Sequence, residues 1–283
     1  MTAPSPCFSV GGLRFAVAGP DAAAALQLPG FAPFVCGSDA GADLWVHTCD
    51  HLPPAEGHQL MRFPLGIGGE CILDEVADGL LYRFSSGSRL SVPRRPDAAV
   101  QMLRKGVAEE WRYMLWLAYA HGAVPFGAVP VHASAVVWQG RAVLCLGESG
   151  TGKSTHTRLW VDHIPGAHLL NDDSPVLRVE PDGVWVYGSP WSGKTPCYRP
   201  QRYPLAALLR LRQSPDNVIR RLPTLEALSA LLPSCPPTLM RCREVRDTLV
   251  ELAGRTVERA PVFILSCRPD AEAARLSFSS IFP

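Results

Sequence analysis

The stretch Gly147-Glu148-Ser149-Gly150-Thr151-Gly152-Lys153-Ser154-Thr155 decides the fold of this 283-residue chain. Residues 147–154, called the 147–154 loop below, fit the pattern G-x-x-x-x-G-K-[ST] at every fixed position. An apolar run at 142–146 precedes the loop, and a helical pattern at 153–160 follows it. This strand–loop–helix order is the context in which the pattern binds phosphate. A glycine-rich surface turn that binds nothing is the competing interpretation, and the correct flanks favour phosphate binding.

The residue types of the loop explain how it would hold a triphosphate. Glycines let the backbone curl so that successive N–H groups point at phosphate oxygens. The helix that follows adds the positive end of its dipole. Lys153 is expected to reach the β- and γ-phosphates, and the hydroxyl of Ser154 to bind Mg²⁺. We therefore predict that the quoted residues 147–155 bind ATP together with magnesium.

Two adjacent carboxylates form the second candidate feature. Asn171-Asp172-Asp173 directly follows the apolar pair at 169–170, where a strand is expected to end. One carboxylate can hold magnesium, directly or through water, and the other can accept the proton of an attacking hydroxyl. Such a triplet on its own usually makes a turn or a helix cap. Its position after the 147–154 loop favours a role in phosphoryl transfer.

Two further candidates depend more on context. His132 lies on the predicted strand before the loop strand, and an isolated histidine is more often a packed or surface residue than a catalyst. The segment Tyr187-Gly188-Ser189-Pro190-Trp191-Ser192-Gly193-Lys194 combines glycines, an aromatic residue that looks exposed, hydroxyls and a cation. A substrate or nucleotide loop needs such groups, and an ordinary Gly/Pro loop with a buried tryptophan explains them equally well.

The chain divides into three parts in the sequence. Residues 1–95 contain short apolar strands separated by Gly, Pro and Asp, and they predict a β-rich N-terminal unit. Residues 96–122 predict a linking helix, because apolar residues recur at helical spacing from Asp97 to Ala120. Residues 123–283 predict a nucleotide-binding domain. The predicted strands of the first part are 13–17, 44–47, 60–63, 70–73 and 80–84.

The third part alternates strands with helices, which is typical of the α/β class. Turns are predicted at Gln139-Gly140 and at Asp182-Gly183. The predicted strands are 131–138, 142–146, 169–170, 176–179, 184–187 and 262–266. The predicted helices are 153–160, 204–211, 225–232, 237–252 and 270–274.

Composition narrows the class of protein. Hydrophobic residues make up 47% and charged residues 19%, as in a folded globular chain, and the net charge of +1 gives no reason to expect nucleic acid as a partner. No stretch approaches the roughly 20 apolar residues of a membrane helix, and no signal peptide is recognisable. The nine cysteines are scattered without a C-x-x-C pair, so we expect reduced thiols and a cytoplasmic location. A homo-oligomer is compatible with the sequence.

Together these features resemble the HPr kinase/phosphorylase superfamily, which is similar at its core to ATP-dependent phosphoenolpyruvate carboxykinase. His132, the 147–154 loop and the pair Asp172-Asp173 carry the resemblance. The likeness is closer to the HPr-kinase-related proteins of about this length. Those have Leu/Val-His-Ala-Ser-Ala, as at 131–135 here, Gly-Lys-Ser-Thr-His, as at 152–156, then Asn-Asp-Asp, and a Pro-Trp-Ser-Gly-Lys loop, as at 190–194.

The resemblance implies an α/β fold: a P-loop kinase core with a mixed sheet, preceded by a smaller β-rich unit. It implies an ATP- and Mg²⁺-dependent phosphotransferase with a hydroxyl acceptor on a small molecule, peptide or protein. Lys153 would contact the transferring phosphate, and Ser154 would bind the metal. Asp173 would accept the proton with Asp172 on the metal side, and His132 would lie near the γ-phosphate or the acceptor.

The residues that would bind the phosphate acceptor are indicated less directly by the sequence. Within the 187–194 segment, Trp191 and Ser192 are candidates for contacts with the substrate. Lys194 and Arg199 are candidates for binding an anionic group on that substrate.

Two other classes of function use the same loop. A regulatory or assembly protein would use ATP occupancy or slow hydrolysis as a switch. A carboxykinase acting on a carbon acid would need a second metal site and an arginine-rich carboxylate pocket, and no such cluster stands near the motifs. The paired carboxylates favour the kinase over the switch.

Overall fold

The structure, a computed structural model, describes residues 5–95, 98–193 and 195–283. The chain is a mixed α/β protein with two large mixed sheets. It divides into two compact units, the first formed by Met1–Phe126 with Pro237–Thr248 and the second by Gly127–Pro236 with Leu249–Pro283. Across the described ranges, no helix combines the length and the apolar character needed to span a membrane.

The first unit contains a sheet of nine strands among the described residues, in the order β3-β1-β2-β4-β9-β8-β7-β6-β5. Strands β2, β4 and β9 run parallel, and the other neighbours are antiparallel. The strands are β1 Cys7–Val10, β2 Leu13–Ala18, β3 Val35–Cys36, β4 Leu44–Thr48, β5 Gly57–Pro64, β6 Glu70–Val76, β7 Gly79–Phe84, β8 Arg89–Pro93 and β9 Val100–Leu103.

The predicted linking helix is wrong in its first part. Helix α1 spans Ala108–Ala123, and the preceding apolar residues form β9, which pairs with β4 and β8. Pairing on both sides decides in favour of a strand where spacing alone allowed either structure. The predicted start at Asp97 lies outside the described residues. Helix α1 belongs to the first unit, and the division into 1–95, 96–122 and 123–283 stays a prediction.

The second unit contains the other sheet, with the path β10-β14-β15-β16-β12-β11-β13 and with β18 pairing β16 and β17. Strands β12, β16 and β18 are parallel to one another. The strands are β10 Ala128–Pro130, β11 Ala133–Trp138, β12 Arg141–Leu146, β13 His168–Asp173, β14 Val176–Glu180, β15 Gly183–Tyr187, β16 Arg202–Gln213, β17 Val218–Arg221 and β18 Val262–Cys267. The helices after α1 are α2 Lys153–His163, α3 Thr224–Leu231, α4 Pro237–Arg241, α5 Arg243–Arg259 and α6 Ala271–Ile281.

The predicted helix at 204–211 is wrong, because this stretch forms the middle of β16. Its residues from Leu205 to Leu209 are all buried, as in a strand that is covered on both faces. Such a strand shows no alternation, and leucine and alanine have high helix propensity, so the sequence pattern favoured the wrong element.

Two other helices differ in extent from the helices that the sequence predicts. The predicted helix at 237–252 is divided into α4 and α5, with the buried Cys242 between them. Helix α6 continues well past the predicted end at residue 274. Its start is set by Asp270, whose side chain accepts a hydrogen bond from the amide of Ala273 at 2.9 Å.

A two-residue turn joins β11 to β12. Gln139 and Gly140 both have positive φ, 45° and 73°, as the type I′ hairpin turn requires. The turn pairs Trp138 with Arg141 and, at the other end of the hairpin, Ala133 with Leu146. The predicted turn at this position is therefore present.

A buried polar cluster connects α2 to α6. The indole N–H of Trp160 lies 2.9 Å from Ser277 Oγ and 3.2 Å from His156 Nε2, and these last two atoms are 3.0 Å apart. All three residues are buried, beside the apolar core of the second unit. Burial lowers the pKa of His156 from 6.5 to about 4, because a charged imidazole would lose its hydration there.

We expect this histidine to make the fold acid-sensitive. The unfolded chain binds a proton to His156 near pH 6.5, and the folded chain does so only near pH 4. Stability from this residue is therefore complete above pH 6.5 and declines as the pH falls, by roughly 2 kcal/mol between pH 7 and pH 4.5. Urea unfolding of wild type and His156→Gln at both pH values measures this difference.

The exposed His163 on the same helix provides the control. His163→Gln should keep the full pH dependence of the wild type. If His156→Gln keeps it as well, His156 is not the group that titrates.

Candidate functional site

Strand register brings the predicted site residues together. Ala133 pairs with Leu146 of β12 on one side and with Asp173 of β13 on the other. His132, one residue before Ala133, therefore lies beside the start of the 147–154 loop and beside the end of β13. Three segments that are distant in the sequence meet at this edge.

The 147–154 loop lies between β12 and α2, in the predicted order. Gly150 and Gly152 have φ values of 82° and 99°, a region that favours glycine, and a Cβ at either would meet open space. No side chain caps the start of α2. The first-turn amides and the positive end of the helix dipole are therefore available to an anion.

Lys153 is held across the loop. Its Nζ donates to the carbonyl oxygens of Gly147 and Glu148, at 2.8 and 3.0 Å, and lies 2.9 Å from His132 Nε2. The residue is 8% exposed, and this burial lowers the pKa of its ammonium group. A phosphate oxygen at this position would favour the charged form of the lysine.

His132 links Lys153 to Asp173. Its Nδ1 lies 3.1 Å from Asp173 Oδ1, and its Nε2 faces the lysine. Because an ammonium group only donates, Nε2 accepts, and Nδ1 carries the proton that is donated to the carboxylate. The side chains of His132 and Asp173 are 43% and 48% exposed, so this end of the chain of contacts is open to a substrate.

Ser154 and Asp172 form a second contact behind the loop. Ser154 Oγ donates to Asp172 Oδ1 at 2.8 Å, and Asp172 is only 3% exposed. The pair consists of oxygen ligands, which magnesium prefers. Over the part of the chain that the structure describes, no cluster of three or more His, Cys, Asp or Glu residues could hold a metal alone. The pair fits a Mg²⁺ ion that takes its remaining ligands from phosphate and water.

Asp173 has an unusual backbone. Its φ is 115°, a region that a residue with a side chain seldom adopts. The strand is held there by a bridge between Asp173 and Ser192 and by the amide of Gly193, which donates to the carbonyl of Asp172 at 2.6 Å. Strained conformations persist where the surroundings determine them, and they cluster at functional sites.

Asn171 holds the backbone of Ser189, Trp191 and Cys197 against β13. Its Nδ2 lies 3.2 Å from the carbonyl oxygens of Ser189 and Trp191 and 3.3 Å from that of Cys197. Its Oδ1 accepts from the amide of Ser174 at 3.0 Å. The residue is fully buried, so in the Asn-Asp-Asp triplet it organises the backbone next to both carboxylates.

We expect Asn171→Ala to destabilise the protein by about 3 kcal/mol, because each buried backbone group left without a partner costs roughly 1–3 kcal/mol. Urea unfolding measures the loss. Asn171→Asp keeps the oxygen that accepts from Ser174 but loses the donor, so it should also be destabilised. Gln59→Ala, at an exposed position of β5, is the control. A midpoint of Asn171→Ala equal to that of the control would contradict this role.

The candidate substrate residues are less accessible than the sequence suggests. Trp191 is 5% exposed, so the expectation of an exposed aromatic residue is wrong, since the segment folds back onto Asn171. The hydroxyl of Ser192 is buried and lies 2.9 Å from the carbonyl oxygen of Asp172 and 2.6 Å from that of Thr195. Arg199 is exposed. Lys194 lies outside the described residues.

Sequence reasoning missed Arg210. This residue of β16 donates to Glu148 Oε1 at 2.7 Å and to the carbonyl of Ala230 at 3.1 Å. It therefore pairs with the first variable residue of the 147–154 loop. The predicted helix at 204–211 covers Arg210, whereas in β16 residues two apart, such as Arg210 and Arg212, lie on the same face of a strand.

Comparison with known proteins gives little similarity. No protein-family model and no curated protein matches the chain. Among solved structures, the HPr(Ser) kinase/phosphatase from Coxiella burnetii is similar with a TM-score of 0.33 and 13% identity, over 53% of this chain and 86% of that chain. This similarity does not assign the chain to a family.

Proposed function

We propose that the protein is an ATP- and Mg²⁺-dependent kinase of the HPr kinase type, which transfers the γ-phosphate to a hydroxyl group. The observation that carries the proposal is the chain of contacts from Lys153 through His132 to Asp173, next to the 147–154 loop. In this proposal the ammonium group of Lys153 binds the phosphate, and the carboxylate of Asp173 takes the proton of the acceptor.

The loop and Lys153 bind and orient the triphosphate. Amides of the loop and of the α2 N-terminus point at its oxygens, and the ammonium of Lys153 neutralises charge on the transferring group. Ser154 and Asp172 would hold Mg²⁺, which supplies further charge neutralisation when bound.

Asp173 activates the acceptor. As the hydroxyl oxygen attacks the γ-phosphorus, its proton passes to the Asp173 carboxylate, and the bond between the γ-phosphorus and the leaving β-phosphate oxygen breaks. His132 donates a hydrogen bond from Nδ1 to the carboxylate of Asp173. This hydrogen bond orients the carboxylate toward the acceptor. The acceptor class that we propose is a serine-type hydroxyl on a small molecule, peptide or protein.

Calorimetry with Mg·ATP tests the first half of the proposal, and detection of ADP and phosphorylated product with a panel of hydroxyl compounds and serine peptides tests the second. We expect saturable binding at one site and an acceptor-dependent product. Binding without any product would support an ATP-dependent switch instead. A folded protein that takes up no Mg·ATP would refute both functions.

A further inference from the structure

The site residues determine which way a bound triphosphate points. The strand that leads into the loop, β12, has β11 on one side and β16 on the other. Lys153, His132 and Asp173 meet on the β11 side. If the γ-phosphate reacts there, as the proposed function requires, the nucleoside end of ATP extends toward β16 and β18.

A cavity of about 500 Å³ lies on that side of the loop. It lies beyond the carboxyl end of β12 and at the carboxyl end of the parallel strand β16, the edge of an α/β sheet where ligands bind, and it also contacts the middle of β18. Its size is that of a small-molecule site, typically about 300–1,000 Å³. It is lined by residues 148–151 of the loop, by residues 210–213 of β16 and by Ile264 of β18.

The side chains around this cavity suit a nucleoside. Arg210 pairs with Ile264 across β16 and β18, and Arg212 lies two residues further along, on the same face as Arg210. Ile264 provides an apolar surface, and a guanidinium such as that of Arg212 stacks on nucleobases. Gln213 Nε2 donates to the carbonyl of Gly150 at 3.1 Å, which fixes a side-chain amide at the cavity. The ion pair between Arg210 and Glu148, at 2.7 Å, neutralises the carboxylate of the loop that lines this cavity.

We propose that this cavity binds the base and ribose of the nucleotide, with Ile264 and Arg212 against the base. The inference rests on the proposed function, and it adds the residues that distinguish a nucleotide from a bare polyphosphate. Inorganic tripolyphosphate is the probe that separates the two, because it has the phosphates of ATP without the nucleoside.

The experiment measures binding of Mg·ATP and of Mg·tripolyphosphate by calorimetry. Wild type should bind both, and ATP more tightly. Ile264→Trp fills the cavity, so it should weaken the binding of Mg·ATP by about tenfold or more, as expected for a lost base contact. The affinity for Mg·tripolyphosphate should be unchanged. Arg212→Ala, at an exposed position where truncation leaves the core intact, should weaken ATP selectively in the same way. Leu225→Trp, which adds an indole at a position 80% exposed on α3, is the control.

If the ratio of the affinity for Mg·ATP to that for Mg·tripolyphosphate is the same in wild type, Ile264→Trp and Arg212→Ala, the nucleoside site is overturned. The proposed function would then remain intact. A wild-type protein that binds neither ligand would overturn the proposed function, and the nucleoside site with it.

Discussion

Replacing Lys153 by alanine should abolish phosphoryl transfer and weaken Mg·ATP binding by about a hundredfold, the effect of losing a charge-assisted contact worth roughly 3 kcal/mol. The ammonium group is the buried cation of the site, and it lies between the loop carbonyls and His132. Calorimetry measures the change in affinity, and release of ADP measures turnover.

The controls separate lost charge from lost structure. Lys153→Met keeps much of the side-chain volume, and it should be as inactive as Lys153→Ala. Lys105→Ala, at an exposed position of the first unit, should leave both quantities unchanged. Thermal unfolding of each variant checks that the second unit is folded. An active, folded Lys153→Met protein would show that the loop lysine does not contact the phosphate.

Replacing Asp173 by asparagine should spare nucleotide binding and slow transfer by roughly 10²–10⁴-fold, the range for loss of a general base. Asparagine is nearly the same size as aspartate and tolerates positive φ better than most residues, so the strained backbone at 115° should be retained. It can still contact His132 but can no longer take up a proton. Single-turnover transfer to an identified acceptor, with ATP affinity measured in parallel, tests this.

Two further variants assign the roles of the carboxylates. Asp172→Asn should raise the Mg²⁺ concentration needed for half-maximal activity, because Asp172 contacts Ser154, the other proposed ligand of the metal. Asp162→Asn, on the exposed face of α2, should behave as wild type. If Asp173→Asn transfers phosphate at the wild-type rate while Asp172→Asn does not, the two carboxylates have the opposite roles.

Much of the candidate site was predictable because its chemistry is local in the sequence. The 147–154 loop needs glycine at particular backbone positions and a lysine at the start of a helix, so consecutive residues carry the pattern. The sequence predicts His132 on a strand at 131–138, and this is wrong by two residues, because β11 begins at Ala133. The contact of His132 with both Lys153 and Asp173 follows from the pairing of β11 with two neighbours, which no local pattern reports.

The rest could not be predicted, for specific physical reasons. Asn171 looked like a turn or cap residue because its partners are backbone carbonyls 18–26 residues away. Arg210 was hidden because a fully buried strand and a buried helix give the same apolar run. The local pattern predicts a helix at β9. The residues form a strand because they pair with β4 and β8 on either side, and a local pattern does not report such pairing. In each case, tertiary contacts decided the outcome.

The hairpin turn at Gln139-Gly140 has a consequence for the geometry of the candidate site. It determines which residue of β11 faces which residue of β12, and so it sets the separation between His132 and the loop that begins after Leu146. Six residue pairs lie between the turn and the end of the hairpin that is next to His132. They correspond to roughly 20 Å of strand. The turn contacts neither the imidazole of His132 nor the ammonium group of Lys153, yet the register that it sets contributes to their alignment. This register depends on two residues with positive φ.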